Sequence, residues 1–179
     1  MNPNIVNSIQ LWLKTVIIEY SICPFAQHEF DNNRIHYCID SSNSIEENAQ
    51  LLIAEIQRLE RNDTIETTLI IYPEQFIAFD DFLNYVEIAD ELLIMQGYEG
   101  IYQIASFHPE YCFADSDLND AANYTNRSPY PMIHLIRESS IERVLRFYSH
   151  PEKIPERNIA LTRKLGLSKM QTLLAACRS

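Results

Sequence analysis

The densest group of polar side chains in the sequence is the segment 123–131, NYTNRSPYP. Arg127 carries a fixed fork of N–H donors that suits a carboxylate or a phosphate. Neutral hydrogen bonds can come from its neighbours Asn123, Thr125, Asn126, Ser128 and Tyr130. The segment therefore predicts a binding site for an anionic small molecule. The alternative is a polar turn in which Arg127 pairs with one of the chain's many carboxylates.

His108 is the predicted acid or base. It follows Ser106-Phe107 at the end of a predicted strand, and ligands of α/β proteins lie outside the carboxyl ends of the strands. Tyr111 lies three residues further on and joins it as a candidate catalytic residue. In the alternative hypothesis His108 only orders a turn, because the same His-Pro-Glu tripeptide recurs at His150 where a helix starts.

Cys23, in Ile22-Cys-Pro-Phe, is a third catalytic candidate. A cysteine becomes a nucleophile when a cation, a metal or a helix N-terminus lowers its pKa, and the sequence places no cation beside this one. A buried structural thiol is the alternative. The four cysteines lack C-x-x-C spacing, which predicts free thiols in a reducing cytoplasm, with Cys38 and Cys177 inert.

The residues after His108 form partial metal-binding patterns. His108 and Cys112 are four apart, and oxygen-bearing side chains alternate over 115–119. A calcium loop is excluded because Asp120 stands where glycine is required and Asn126 where the bidentate glutamate belongs. Zinc-binding motifs are lacking as well. We therefore predict no metal and no cofactor.

Two further polar residues lie on a predicted fourth strand. His134 shares a face with Met132 and Ile136, which is typical of a histidine that is hydrogen-bonded within the core. Arg137, at the end of the strand, is predicted to bind substrate, or else to form an ion pair with Glu138.

Apolar residues that recur every three or four positions predict the helices, and β-branched runs predict the strands. The first helix begins near Pro3 and is limited by Pro24, and Ser44 with Glu47 forms a capping box that opens the second. The predicted strands are 34–40, 67–72, 101–107 and 132–137. The later predicted helices are about 80–97, 140–148 and 155–164, with a short one after Ser168.

The helices between the first three strands predict parallel crossovers. The segment 108–131 has little apolar periodicity, so the third and fourth strands are expected to pair antiparallel, with His108 at the same sheet edge as 126–131. The predicted fold is α/β, or α+β. It is a single domain, 1–179, in a two-layer or three-layer sandwich with a mixed sheet of about four strands, and 167–179 is a peripheral helix or tail.

Composition limits the classes of function. The chain has 179 residues, 46% hydrophobic and 22% charged, which is typical of one globular domain. Its three glycines leave little from which to build a phosphate-binding loop, and its net charge of −11 disfavours nucleic acid and anionic membranes. Polar residues interrupt the apolar stretch 5–22, so we expect neither export nor a membrane span and predict a cytoplasmic protein.

Several of these strings together resemble a family of bacterial proteins catalogued only as a domain of unknown function. They are CPFA at 23–26, ASFHPEY at 105–111 with Phe113-Ala114, NYTNRSPYPM at 123–132 with 134–138, and ERNI at 156–159. The likeness runs from about Leu11 to Gly166. It supports the choice of positions and a bacterial cytoplasmic origin, and it supplies no chemistry.

Two hypotheses follow. In the first, the protein is a small-molecule enzyme, a hydrolase or group transferase, in which Arg127 binds an anionic substrate and His108 moves a proton. In the second, it is a non-catalytic domain that binds a ligand or a partner protein through the same loop. The oligomeric state does not follow from the sequence.

Overall fold

A computed structural model of the protein describes residues 3–178. The strands are β1 (Ile35–Ile39), β2 (Thr67–Ile71), β3 (Tyr102–Phe107) and β4 (Met132–Arg137). The α-helices are α1 (Pro3–Trp12), α2 (Ala26–Asp31), α3 (Ile45–Arg61), α4 (Phe79–Met95), α5 (Glu138–Leu145), α6 (Ile154–Leu165) and α7 (Leu167–Ala176). A π-helical segment, Leu13–Ile18, continues α1, and 3₁₀ turns form at Ala121–Thr125 and Pro151–Lys153. Over residues 3–178, the helices are too short or too polar to cross a lipid bilayer.

The sheet is mixed and its order is β1-β2-β4-β3. β1 and β2 pair in parallel, whereas β4 lies between β2 and β3 and pairs antiparallel with both. The antiparallel pairing of β3 with β4 confirms the prediction. The first three strands run in one direction as expected, but only β1 and β2 form a parallel pair. A helical connection fixes the direction of the next strand without fixing its neighbour, and here β4 occupies the place beside β2.

Helices cover both faces of the sheet. Leu69 and Ile71 of β2 pack against α1, the π-helical segment and α7, whereas Ile70 and Tyr72 pack against α3 and α4. All five residues of β2 are buried. A strand that contacts helices on both sides must be apolar on both faces, which explains the unbroken run TTLIIY. The sheet is thus the middle of three layers.

The first helix differs from the prediction in its second half. Its apolar stripe is buried as expected, but from Leu13 to Ile18 the backbone is π-helical, and the helix is followed by Ser21 in the left-handed conformation with φ 50°. The short helix α2 then follows, which periodicity did not predict. π-helical turns are frequent at functional sites, and Leu13 and Ile17 line the cavity described below.

The long segment between β3 and β4 is packed rather than loose. Its 3₁₀ turn, Ala121–Thr125, is buried at every residue, and Asp120 caps the turn by accepting from the Ala122 N–H. Asp120 also pairs with Arg163 of α6, with nitrogen and oxygen 2.6 Å apart. The His108 N–H donates to the Asn126 carbonyl over 3.2 Å, which confirms that these residues share one edge of the sheet.

The C-terminal segment is part of the core. The sequence predicts a peripheral helix or tail over 167–179, but Met170 and Leu174 of α7, with Cys177 directly after it, are buried in one cluster with α1 and the π-helical segment. The amphipathic spacing of these residues allows one face of α7 to be buried, so the peripheral assignment is wrong for the part of the segment that the structure describes.

Replacing Leu174 with alanine therefore lowers the free energy of unfolding by about 2–5 kcal/mol, because it leaves a void in a packed core. The measurement is urea denaturation followed by circular dichroism. The control is Gln171→Ala on the exposed side of α7, which changes stability by less than about 0.5 kcal/mol. Equal stability of the two variants would contradict the placement of α7 in the core.

Candidate functional site

The imidazole of His108 is fully buried and uses both of its nitrogens within the fold. Nε2 lies 2.8 Å from the Phe76 carbonyl, and the Glu110 N–H donates to Nδ1 over 3.0 Å. The ring packs on Phe79 and Phe82, with centroids 5.1 and 5.3 Å away. Burial lowers the pKa of His108. With no exposed surface and both nitrogens occupied, this side chain has no access to a substrate in this structure.

His108 instead holds a strained turn. Phe76 has a φ of 57°, which is unfavourable for an aromatic residue, and its ring stacks on Tyr85 at 4.7 Å. The bond from His108 to the Phe76 carbonyl joins the turn after β2 to the end of β3. His108, which the sequence predicts as catalytic because it lies just past a strand end, therefore acts in this structure as a clamp that joins two segments of the fold.

Arg127 also bonds within the fold. Its Nε donates to the Tyr111 carbonyl over 3.0 Å, one terminal nitrogen donates to the Leu118 carbonyl over 2.9 Å, and the guanidinium lies 4.8 Å from the centre of the Tyr124 ring. These contacts brace the 108–131 segment. The Arg127 side chain borders a surface hollow that is also lined by Asp80 and Glu110, whose carboxylates disfavour an anion there.

Other predicted binding residues also have partners in the same segment. Asn123 is buried, accepts from the Phe113 N–H over 3.1 Å, and donates to the Asp117 carbonyl over 2.9 Å. Ser128 donates to the Tyr130 carbonyl over 2.6 Å. These bonds give the segment its shape and leave little capacity for a ligand.

Tyr111, Tyr130 and Arg137 lie in three different places. The Tyr111 ring packs on Phe79 at 5.2 Å, and burial raises its pKa. Tyr130 lines an open groove between the 129–131 segment and α7. Arg137 lies at the opposite end of β4, where it donates to the Tyr102 hydroxyl over 2.8 Å and to the Leu59 carbonyl. Arg137 is therefore separated from the other predicted residues by the length of the strand.

A cavity of about 320 Å³ brings three of the predicted residues, Cys23, Thr125 and Asn126, together with side chains that the sequence did not indicate. Its walls come from the first helix, the turn before α2, the sheet, the 108–131 segment and α6. The lining includes Trp12, Cys23, Thr67, Phe107, Phe113, Thr125, Asn126, His134, Asn158 and Ile159. Every lining residue given by the structure is uncharged. Pro155 is the exposed member of the lining, so the cavity reaches the surface beside α6.

His134 stands in the sheet wall of this cavity. Its Nε2 lies 2.6 Å from the Thr67 hydroxyl, which in turn donates to the Leu135 carbonyl over 2.5 Å. Burial lowers the pKa of His134 to about 4, so the ring is neutral at pH 7. The predicted hydrogen-bonded histidine is confirmed. The cavity beside it could not be read from the strand, because the opposite wall comes from residues distant in sequence.

Cys23 lines the same cavity, whereas the other two predicted catalytic residues, His108 and Tyr111, do not. Burial raises the pKa of its thiol, and the N–H groups of Phe25 and Ala26 oppose this only in part. The turn before it is fixed from α6, where Asn158 donates to the Ile22 carbonyl over 2.7 Å. The structure therefore places Cys23 with His134 and Asn126, and it favours the protonated thiol.

The partial metal patterns do not come together. Cys112 directs its thiol to the Phe113 and Ser116 carbonyls, and Asp120 is paired with Arg163. From residue 3 to residue 178, the His, Cys, Asp and Glu side chains form no group of three or more that could hold a metal ion. All four cysteines are free thiols.

The clamp role of His108 predicts a loss of stability when it is removed. His108→Ala lowers the free energy of unfolding by about 1–3 kcal/mol or more, because the Phe76 carbonyl and the Glu110 N–H lose their partner. Urea denaturation measures the change, with exposed His150→Ala as the matched control. A His108→Ala protein as stable as wild type would contradict the clamp.

The neutral His134 predicts a pH dependence. In the unfolded chain its pKa returns to the ordinary value of 6.5, so between pH 6.5 and about 4 the unfolded state binds the extra proton. The free energy of unfolding is highest above pH 6.5 and falls toward pH 4, by up to about 3 kcal/mol from this group. Urea denaturation across this range should give a shallower dependence for His134→Phe. If the stability of wild type and of His134→Phe depends on pH in the same way, the pKa of His134 does not differ between the folded and unfolded states.

Comparison with known sequences identifies the family. A search of curated proteins and a search of solved structures find no match. The sequence model described as "Protein of unknown function (DUF1415)" matches residues 4–172, which include all the lining residues of the cavity. The chain therefore belongs to the DUF1415 family of proteins of unknown function.

Proposed function

We propose that the protein binds a small, uncharged and largely apolar molecule in the cavity between the sheet and α6. The observation that carries the proposal is a volume of about 320 Å³ enclosed by uncharged side chains and open beside Pro155. Ligand pockets are typically mostly apolar, with a few polar groups, and begin at about this volume.

A structural void is the less favourable explanation. Protein interiors pack to the density of organic crystals, and unfilled volume in a core costs stability. This cavity borders a π-helical segment, a left-handed Ser21 turn and a buried Asn158 that holds that turn. Such local departures from regular structure are retained where a site needs them. They support a volume that is kept open for a ligand.

The lining argues against an anionic ligand. A carboxylate or phosphate moved into this cavity would lose its water without gaining a cation, which costs several kcal/mol. Arg127, the predicted anion-binding residue, bonds to the Tyr111 and Leu118 carbonyls outside the cavity. The geometry therefore favours a neutral ligand over the anionic one that the sequence predicts.

Catalysis by Cys23 is the second candidate function, favoured by its position in the same cavity as His134. A hydrolase or transferase of this kind needs the thiolate as nucleophile. Burial raises the pKa of Cys23 and lowers that of His134, so both groups are neutral at pH 7. The non-catalytic binding function is therefore the one that the geometry supports best.

The test is a titration with three ring compounds of similar size and different charge, toluene, benzoate and benzylammonium. Toluene should raise the melting temperature and change the fluorescence of Trp12, the one tryptophan of the chain and part of the lining. Because burying an unpaired charge is costly, benzoate and benzylammonium should bind at least about a hundredfold more weakly.

A matched pair of variants on α2 locates the binding. Ala26 lines the cavity, and Ala26→Leu fills part of it and should abolish toluene binding. The neighbouring residue Gln27 is exposed, so Gln27→Leu should bind as wild type does. Circular dichroism checks that both variants fold. Tighter binding of benzoate or benzylammonium than of toluene, or equal toluene binding by both variants, would overturn the proposal.

A further inference from the structure

The polar atoms of the cavity differ in whether the fold already uses them. The Thr125 hydroxyl donates to the Ala122 carbonyl over 3.0 Å, and Asn126 donates to the Ser106 carbonyl over 3.3 Å. The amide of Asn158 donates to one carbonyl and its oxygen accepts from an arginine. The Asn126 amide oxygen lies 3.0 Å from the Thr125 hydroxyl. These groups shape the wall and already have partners within the fold, so they bind a ligand less readily than an unpaired group does.

The hydrogen-bond chain in the sheet fixes where His134 carries its proton. The Thr67 hydroxyl has one hydrogen, and it is directed to the Leu135 carbonyl. Towards His134 the hydroxyl can therefore only accept, so Nε2 must be the protonated nitrogen of the neutral ring. Nδ1 then carries a lone pair and acts as an acceptor.

Nδ1 of His134 is an acceptor that the fold leaves unused. Throughout the described residues 3–178, the only hydrogen-bonding contact of the ring is the one between Nε2 and Thr67. The ring is only partly covered by protein and forms part of the cavity lining. A neutral imidazole nitrogen at a water-poor wall attracts a hydrogen-bond donor, because covering the nitrogen with apolar surface alone would cost it a hydrogen bond.

We propose that the ligand is an uncharged molecule with an O–H or N–H group that donates to Nδ1 of His134, attached to an apolar body. This inference rests on the proposed function and specifies its ligand class. Aromatic side chains in the lining can pack against a ring of the ligand. Trp12 and Phe107 lie edge to face with centroids 5.2 Å apart, and Phe113 borders the same space. His134 is thus the specificity-determining residue, and Thr67 positions its proton.

Phenol and toluene separate this inference from the proposed function because the two molecules differ by one donor group. In a purely apolar cavity toluene would bind better, since the phenol hydroxyl would lose its hydrogen bonds to water. An unpaired acceptor in the cavity wall makes phenol the tighter ligand, because the acceptor replaces the hydrogen bond that the hydroxyl loses to water. We expect wild type to bind phenol at least about tenfold more tightly than toluene, measured by Trp12 fluorescence and calorimetry.

Two substitutions in the hydrogen-bond chain test the roles of its members. His134→Phe keeps a ring and removes the acceptor, so toluene should now bind more tightly than phenol. Thr67→Val removes the group that holds the proton on Nε2, so the phenol preference should fall severalfold. The ¹⁵N chemical shifts of His134 should change from the Nε2-protonated form to a mixture of tautomers.

Thr68→Val is the control, since it removes a buried hydroxyl from the same strand, on the face of the sheet away from the cavity. It should retain both the phenol preference and the tautomer. If His134→Phe does not fold, Thr67→Val and the ¹⁵N shifts decide the matter.

The outcomes are distinct. Wild-type protein that binds toluene as tightly as phenol, or a phenol preference that survives in both His134→Phe and Thr67→Val, overturns the inference and leaves the proposed function standing. Wild-type protein that binds neither compound overturns both.

Discussion

The pairing of β4 between β2 and β3 is the constraint on which the other features depend. Its register sets His134 opposite Leu69 on one side and Ala105 on the other, with Thr67 within hydrogen-bond reach. Side chains alternate along a strand, so a shift of one residue would turn His134 to the face of α3 and α4. The same pairing brings Phe107 and Met132 together, so the 108–131 segment begins and ends at one edge of the sheet, where it supplies a wall of the cavity.

Buried polar groups in this protein divide according to whether the fold satisfies them. Buried His108 and Asn123 and half-buried Arg127 each bond to backbone groups of nearby turns, which offsets the cost of covering them and fixes a long irregular segment. These bonds are the reason that the segment between β3 and β4 can be buried without regular structure. A group that is bonded in this way has less capacity left for a ligand, whereas Nδ1 of His134 has no partner among the described residues.

The sequence predicts the secondary structure closely, whereas the structure separates several of the candidate site residues, and both outcomes have a physical reason. The four predicted strands agree with the observed ones to within one residue at each end, because β-branched runs and alternation are local signals. The pairing of β4 with β2 is not a local signal, and the sequence predicts only the pairing of β4 with β3. His108 and Arg127 were chosen because residue type and position at a strand end are the same for a clamp and for a catalytic group. Only the partners distinguish them, and these come from Phe76 and Leu118, which carry no sequence motif.

The neutrality of the cavity connects its chemistry with its ligand. Burial moves the pKa of Cys23 up and that of His134 down, so one cause keeps an acid and a base of opposite type uncharged. A charged ligand would have to overcome that same desolvation, and one of negative charge would first approach a chain with a net charge of −11. A neutral donor meets neither barrier. The property that makes Cys23 a poor nucleophile and His134 a weak base is thus the property that suits the cavity to an uncharged molecule.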